Sequence, residues 1–262
     1  MPHAITYTEQ VSNKSSYKNM KKLLLSVATL CLLFTSTFAQ QSCGTVKDYD
    51  GNTYNTVQLG SQCWMAETLR TTHYSDGTSI LLGNNTNSET IAYLYEPGGM
   101  NATVSTYGYL YNWPAVMGNN LSSISNPNGV QGICPVGWHV PSDAEWTQLT
   151  DYVSSQSEYR CYGSSSDIAK ALASTTGWNS SSGTCSVGNN SSSNNATGFT
   201  AVSAGTYSNR YFNGFWDNAE IWSASEYSDV NVYCRGLSNY LGTVNRHYTY
   251  KGTGLSVRCV RD

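Results

Sequence analysis

The residues with the right types for reactivity or ligation in this 262-residue chain are eight cysteines, four histidines and a few clustered acids. No two cysteines are spaced C-x-x-C, so a structural zinc site is not expected. His73, His139 and His247 are scattered without the paired spacing that places two imidazoles on one helix face. The sequence Asp48-Tyr49-Asp50-Gly51-Asn52 clusters the oxygen ligands that calcium prefers. It lacks a twelve-residue loop with a terminal Glu and reads as a tight hairpin turn. Asp143 and Glu145 are accounted for by helix capping, and His139, between Trp138 and Val140, reads as a satisfied core histidine. No Gly-rich phosphate loop or nucleophile elbow is present. Cys234 alternates with Val232 in a strand-like run and has no neighbouring base in sequence to lower its pKa, so it reads as a small buried hydrophobe. These residues therefore predict no enzyme, no metal and no cofactor.

The remaining chemistry is recognition. Only 12% of residues are charged and 20 are Tyr, against about 25% charged in an ordinary soluble domain. Surfaces of Tyr, Asn, Ser and Gly suit binding, because Tyr gives contact area at low entropy cost and the small polar residues adapt their hydrogen bonds. Secreted β-rich proteins share that composition without binding anything through it. The candidates cluster late in the chain: Tyr211, Asn213, Trp216, Asn231, Tyr233, Arg235, Asn239, Tyr240, Asn245, His247, Tyr248 and Tyr250. Aromatic faces there would stack on sugars or cover a protein epitope.

The first 39 residues are expected to lie outside the fold. Lys21 and Lys22 precede an apolar run from Leu23 to Phe34, and Thr37-Phe38-Ala39 fits a signal-peptidase site before Gln40. Residues 1–19 read as an upstream extension, with Met20 the more natural start. Cys31 follows Leu30, where lipidation wants a small residue. Without residues 1–39 the chain has 10 basic and 16 acidic residues, a net charge of −6. That balance disfavours nucleic acid and anionic membranes as partners, and no transmembrane segment is expected in the mature chain. A surface protein or a glycan is the expected partner, and the expected location is outside the cell or in its envelope, on the outer surface or in the periplasm. Export implies disulfides. Proximity pairs Cys43 with Cys63 and Cys161 with Cys185, Cys134 with Cys259 ties the middle to the last strand, and Cys234 is left over.

The elements that must position these residues follow an α+β order. Val46 to Tyr54 reads as a hairpin around Asp50-Gly51-Asn52. Residues 71–130 read as irregular, with the aromatic stretch Tyr107 to Trp113 packed beneath loops. Ser142-Asp143-Ala144-Glu145 is a capping box opening a helix in which Trp146, Leu149 and Val153 recur on one side. A second short helix fits Asp167 to Ala173, followed by a polar loop over 174–198. Short alternating runs at Ile221-Trp222-Ser223, Asn231 to Leu237, Val244 to Tyr250 and Leu255 to Val260 predict an antiparallel sheet. The whole is two helices packed on short antiparallel sheets with long irregular loops, in one domain over 40–262.

Several stretches carry a family resemblance: Asp50-Gly51-Asn52-Thr53-Tyr54, Gln62-Cys63-Trp64-Met65-Ala66-Glu67-Thr68-Leu69-Arg70, Cys134 to Trp146, Trp222-Ser223-Ala224-Ser225 and Gly254 to Arg261. Together they resemble the Fibrobacter succinogenes major paralogous domain over essentially all of 43–262. The resemblance implies an exported bacterial protein with a fold like C-type lectins and formylglycine-generating enzymes. It also implies a link to the variable proteins of diversity-generating retroelements, in which Asn, Tyr, Ser and Asp vary on a fixed scaffold near the carboxyl end. A ligand-binding domain without catalysis is the leading expectation. The alternatives are a calcium-dependent lectin, to whose motifs Glu96-Pro97-Gly98 and Trp216-Asp217-Asn218 bear a weak likeness, a structural or adhesin-type surface module, and a formylglycine-generating-type oxidase, whose reactive-cysteine motif is not evident.

Overall fold

The computed structural model describes residues 41–100 and 103–262. The leader expected over residues 1–39 lies outside them. Strand β1 (Thr45–Lys47) and strand β2 (Thr53–Leu59) form the expected opening hairpin, with Tyr54 opposite Val46. Its turn is held by Asp48: the Gly51 amide donates to the Asp48 carbonyl over 3.2 Å, and the Asn52 amide donates to Asp48 Oδ1 over 2.9 Å. Strand β3 (Gln62–Met65) follows β2 through Gly60-Ser61, and the sheet is completed by the distant β7 (Trp138–His139) and β13 (Val260–Arg261) in the order β1-β2-β3-β13-β7.

The middle of the chain is more ordered than its sequence suggests. It contains β4 (Leu81–Leu82), β5 (Tyr93–Tyr95), the single-turn helix α1 (Val104–Tyr107), β6 (Leu110–Tyr111) and helix α2 (Trp113–Met117). β4 and β5 run parallel, a departure from the all-antiparallel expectation. Asn112 caps α2 by accepting from the Ala115 amide, and Pro114 fits the first turn, where no amide donor is needed. Leu110 and Tyr111 are fully buried, and Trp113 nearly so.

Helix α3 (Asp143–Ser155) begins at the capping box expected of it. It buries Trp146, Leu149 and Val153 on one side, as their spacing requires. Trp146 meets Trp64 with ring centroids 4.6 Å apart, and Phe199 sets its ring edge-on against both. The second predicted helix is one turn, α4 (Ala169–Leu172). The polar loop after it is held by the Cys161–Cys185 disulfide and by backbone hydrogen bonds from Val187 and Gly188 to Leu241 and Asn239.

Beyond the hairpin of β8 (Thr206–Ser208) and β9 (Tyr211–Asn213), the chain forms a three-stranded antiparallel sheet. Its strands are β10 (Asn218–Glu226), β11 (Asn231–Ser238) and the edge strand β12 (Asn245–Tyr250). One core cluster contains Trp222, Val232 and Cys234 with Tyr111, Trp113 and Val257, and another contains Ile221 and Leu237 with Trp146 and Leu149. The last segment corrects the sequence reading. Leu255 to Val260 alternates like a strand with one buried face, yet each of its residues is buried. It threads between neighbours through single bridges, Leu255 to Tyr111 and Ser256 to Ile221, and only Val260–Arg261 joins a ladder.

Disulfides join Cys43 to Cys63, Cys134 to Cys259 and Cys161 to Cys185, and Cys234 is a buried free thiol. Three disulfides suit a non-cytoplasmic, oxidising setting. Among the described residues no helix is long and apolar enough to cross a membrane.

A candidate ligand-binding surface

The register of β11 and β12 decides which late residues share a face. Asn231 pairs with Tyr250, Tyr233 with Tyr248, and Arg235 with Arg246, so these six lie on one side. Cys234 pairs with His247 and Gly236 with Asn245 on the other. The structure therefore splits the predicted set. Asn231, Tyr233, Arg235, Tyr248 and Tyr250 share a face, whereas Asn245 and His247 turn to the opposite one.

On the first face the aromatic rings assemble. Tyr227, just beyond β10, stacks on Tyr248 with centroids 4.0 Å apart and planes 4° from parallel. Tyr233 meets Tyr227 edge-on at 5.4 Å, and the Arg246 guanidinium lies 4.0 Å above the Tyr233 ring. Tyr227 is 50% exposed and Tyr248 49%, so about half of the stack faces solvent. Arg246 is held from behind. Its Nε and Nη2 donate to the two carboxylate oxygens of Asp143 at 2.8–3.1 Å. Asp143 is the first residue of α3 and also accepts from Arg235 Nη1 at 2.6 Å. Partial burial opposes its charge, but the two guanidiniums outweigh that and hold its carboxyl below the usual carboxylate range.

Arg235, expected on the recognition surface, is a correction. It is only 2% exposed. Its Nη2 donates to the Asp143 carbonyl and to Thr147 Oγ1, both at 3.1 Å. The start of α3 covers this part of the sheet, which makes Arg235 a tie between helix and strand. Tyr227 is one of the late aromatics that the sequence leaves open between core and surface, and Arg246 is not marked out by the sequence at all. Tyr227 lies outside any regular alternation, and only the strand register brings Arg246 over Tyr233.

A second group forms at the other end of the sheet. Trp216 Nε1 donates to the Tyr107 hydroxyl at 3.2 Å, and its ring lies 5.0 Å from Phe215. Asn239 joins this end through its amide, which donates to the Asp217 carbonyl, with the exposed Tyr240 beside it. Tyr211 and Asn213 lie on the exposed β9. From Tyr233 to Ser238 the strand runs roughly 17 Å, so the predicted residues form separate patches.

The opposite face carries a cluster the sequence did not suggest. Glu220, Cys234 and His247, from three adjacent strands, bring their potential ligand atoms within 4.8 Å of one another. Glu220 Oε2 lies 3.1 Å from His247 Nε2 but accepts no well-directed hydrogen bond. Burial pushes the Glu220 carboxyl up against the opposing pull of His247, and burial also raises the Cys234 thiol well above its ordinary value. The adjacent Glu220 carboxylate is the main cause of the raised His247 pKa, with partial burial opposing it.

The Asp48–Asn52 turn that could suggest calcium has its oxygens engaged internally. Asp48 accepts from Asn52 and from the Tyr54 hydroxyl, and Asp50 accepts from Thr72 and contacts His73. Two cavities are bordered by none of the stacked tyrosines, one of about 440 Å³ bordered by Tyr74, Glu89, Trp113 and Lys251, the other of about 540 Å³ bordered by Asp50, Arg70 and Tyr109.

No curated protein and no solved structure matches this chain. The buried tryptophans Trp64, Trp146 and Trp222 and the capping box of α3, which hold the sheets and helix together, all fall within residues 57–261, the span matched by a model of the Fibrobacter succinogenes major domain, and the protein belongs to that family.

Proposed function

We propose that this is a non-catalytic binding domain of C-type-lectin-like architecture, secreted or held at the cell envelope, which recognises a protein or glycan surface through Tyr227, Tyr233, Tyr248 and Arg246. One observation carries the reading. Three tyrosines and an arginine are packed against one another, with Tyr227, Tyr248 and Arg246 about half exposed, Tyr233 partly buried between them, and the arginine fixed by a bidentate carboxylate contact. Tyr and Arg dominate binding hot spots, and side chains already held in place lose little entropy on association. The small hydrogen-bonding residues nearby, Asn231 and Ser228, supply a polar rim. A link to retroelement-diversified proteins agrees with Tyr- and Asn-rich strands at this position.

The absence of catalysis is supported by the state of the reactive groups. Cys234 is buried and its thiol is held protonated by burial, whereas a nucleophilic cysteine needs a lowered pKa and access. The buried His139 and Glu145 are occupied with each other and with the cap of α3.

The test begins with the purified protein on arrays of glycans and of surface proteins. For the ligand found, Tyr227→Ala, Tyr233→Ala or Tyr248→Ala is expected to weaken binding by about 1–3 kcal/mol. Calcium chelation is expected to leave affinity unchanged. Wild-type affinity in a folded triple variant would discard this face, and loss of binding on replacing Trp216 and Tyr240 instead would move the site to the other end of the sheet.

A further inference from the structure

We propose that Glu220, Cys234 and His247 form a transition-metal site that takes Zn²⁺, with a water or an external group as fourth ligand. Three observations lead there. First, the ligand types fit. Thiolate, imidazole and carboxylate are the three groups that bind zinc in proteins, and three protein ligands with one open position is a common zinc arrangement. A thiolate disfavours calcium and magnesium, which want oxygen.

Second, the spacing is close to what zinc requires. With bonds of about 2.0–2.3 Å, tetrahedral ligands lie roughly 3.3–3.7 Å apart. Glu220 Oε2 and His247 Nε2 are already 3.1 Å apart, and all three ligand atoms lie within 4.8 Å of one another. Small rotations of Glu220 and His247 close the remainder. The sheet supplies the rigidity, because Cys234 and His247 are a direct cross-strand pair and Glu220 lies opposite Gly236, two residues along β11.

Third, the surroundings leave room and an unmet need. Glu220 Oε2 is buried and accepts no well-directed hydrogen bond, its near neighbour being His247 Nε2 at 3.1 Å, which leaves a buried carboxylate under-satisfied. Gly236 keeps the space beside it clear. A Cβ there would lie 2.8 Å from both Glu220 carboxylate oxygens and 2.9 Å from His247 Cε1. The His247 side chain is 41% exposed, so the fourth position opens to solvent at the edge of the sheet.

Charge balances as well. On binding, the Cys234 thiol releases its proton to solvent and gives a thiolate, Glu220 binds as carboxylate, and His247 donates the lone pair of a neutral imidazole. A divalent ion with two anionic ligands leaves no net charge to desolvate. The site lies on the face opposite Tyr233 and Tyr248, so it is independent of ligand recognition and would fasten the edge strand β12 to β10 across β11.

The experiment is metal titration of the purified protein after chelator treatment, with Zn²⁺ measured against a chromophoric competitor and Co²⁺ used as a spectroscopic probe. One equivalent of Zn²⁺ is expected to bind, and Co²⁺ is expected to give a thiolate-to-metal charge-transfer band. Cys234→Ala and His247→Asn should each weaken Zn²⁺ binding at least tenfold and abolish that band, and excess Ca²⁺ should not compete. Should Cys234→Ala fail to fold, His247→Asn on the exposed edge strand decides alone. Absence of the charge-transfer band in the wild-type protein, or Zn²⁺ affinity unchanged in His247→Asn, would overturn the proposal.

Discussion

At the scale of single residues, Arg258 explains much of the terminal motif. It is fully buried, in the segment that threads between the cores. Its Nη1 donates to the carbonyls of Met65, at 3.0 Å, and Phe199, and its Nη2 donates to Thr200 O. The guanidinium also lies 4.7 Å from the Phe199 ring centre. Burial pulls its pKa down to about 9, with Glu67 opposing, so it remains charged at neutral pH. One planar group thus satisfies three carbonyls at the junction of β3 and the 199–200 loop, a fork that Lys cannot reproduce. Arg258→Met is expected to destabilise the fold by about 3 kcal/mol or more, because those carbonyls would be left unpaired. Arg258→Lys should fall between the two. Urea unfolding of the three proteins checks this, and equal midpoints for wild type and Arg258→Met would refute it. Arg258 and Arg235 look alike in the sequence, each a charged residue in an alternating run. Their burial depends on a distant loop and a distant helix, which no local pattern encodes.

At the scale of elements, α3 was the most legible, because its signals are local. Ser142 Oγ accepts from the Glu145 amide at 3.2 Å, and Glu145 Oε2 accepts from the Ser142 amide at 2.8 Å. The sequence did not reveal that the same Glu145 also pairs with His139 Nε2 at 2.7 Å, while His139 Nδ1 meets Asp262 Oδ1 at 2.7 Å. Burial opposes charge on both groups, yet the hydrogen bonds prevail. They hold His139 above its ordinary 6.5 and Glu145 below its ordinary 4.5. The stability contributed by His139 is complete below its unfolded value and fades as pH rises through the raised one. That of Glu145 is complete above its unfolded value and fades as pH falls through the lowered one. The pair therefore stabilises the fold most between about pH 4.5 and 6.5. His139→Gln is expected to cost roughly 3 kcal/mol in that window and to remove the decline on the alkaline side. Denaturation midpoints measured across pH for both proteins test it, and parallel curves would count against the pair.

At the scale of the whole molecule, the hairpin, the late sheet and the cysteine pairs could be read from spacing, but the way the sheets share one chain could not. The first sheet closes only when β7 and β13 arrive from far along the sequence. The Glu220–Cys234–His247 cluster likewise exists only once three strands are in register. The tie that fixes this long-range arrangement is Cys134–Cys259, which spans 125 residues, whereas Cys43–Cys63 and Cys161–Cys185 span 20 and 24. In the chain-entropy account, closing a loop that long restricts the unfolded ensemble by about 4–5 kcal/mol, against about 3 kcal/mol for each short one. Both Cys134 and Cys259 are also fully buried in the core with Val257 and Trp222, so their loss adds a packing cost. Replacing this pair by alanines is expected to lower the melting temperature by roughly 10–15 °C, more than removing either short bridge. Differential scanning calorimetry of the three double variants gives the order directly. If removing Cys134–Cys259 costs no more than removing Cys43–Cys63, the joining of the first sheet to the chain's end must rest on packing and on Arg258 rather than on the covalent tie.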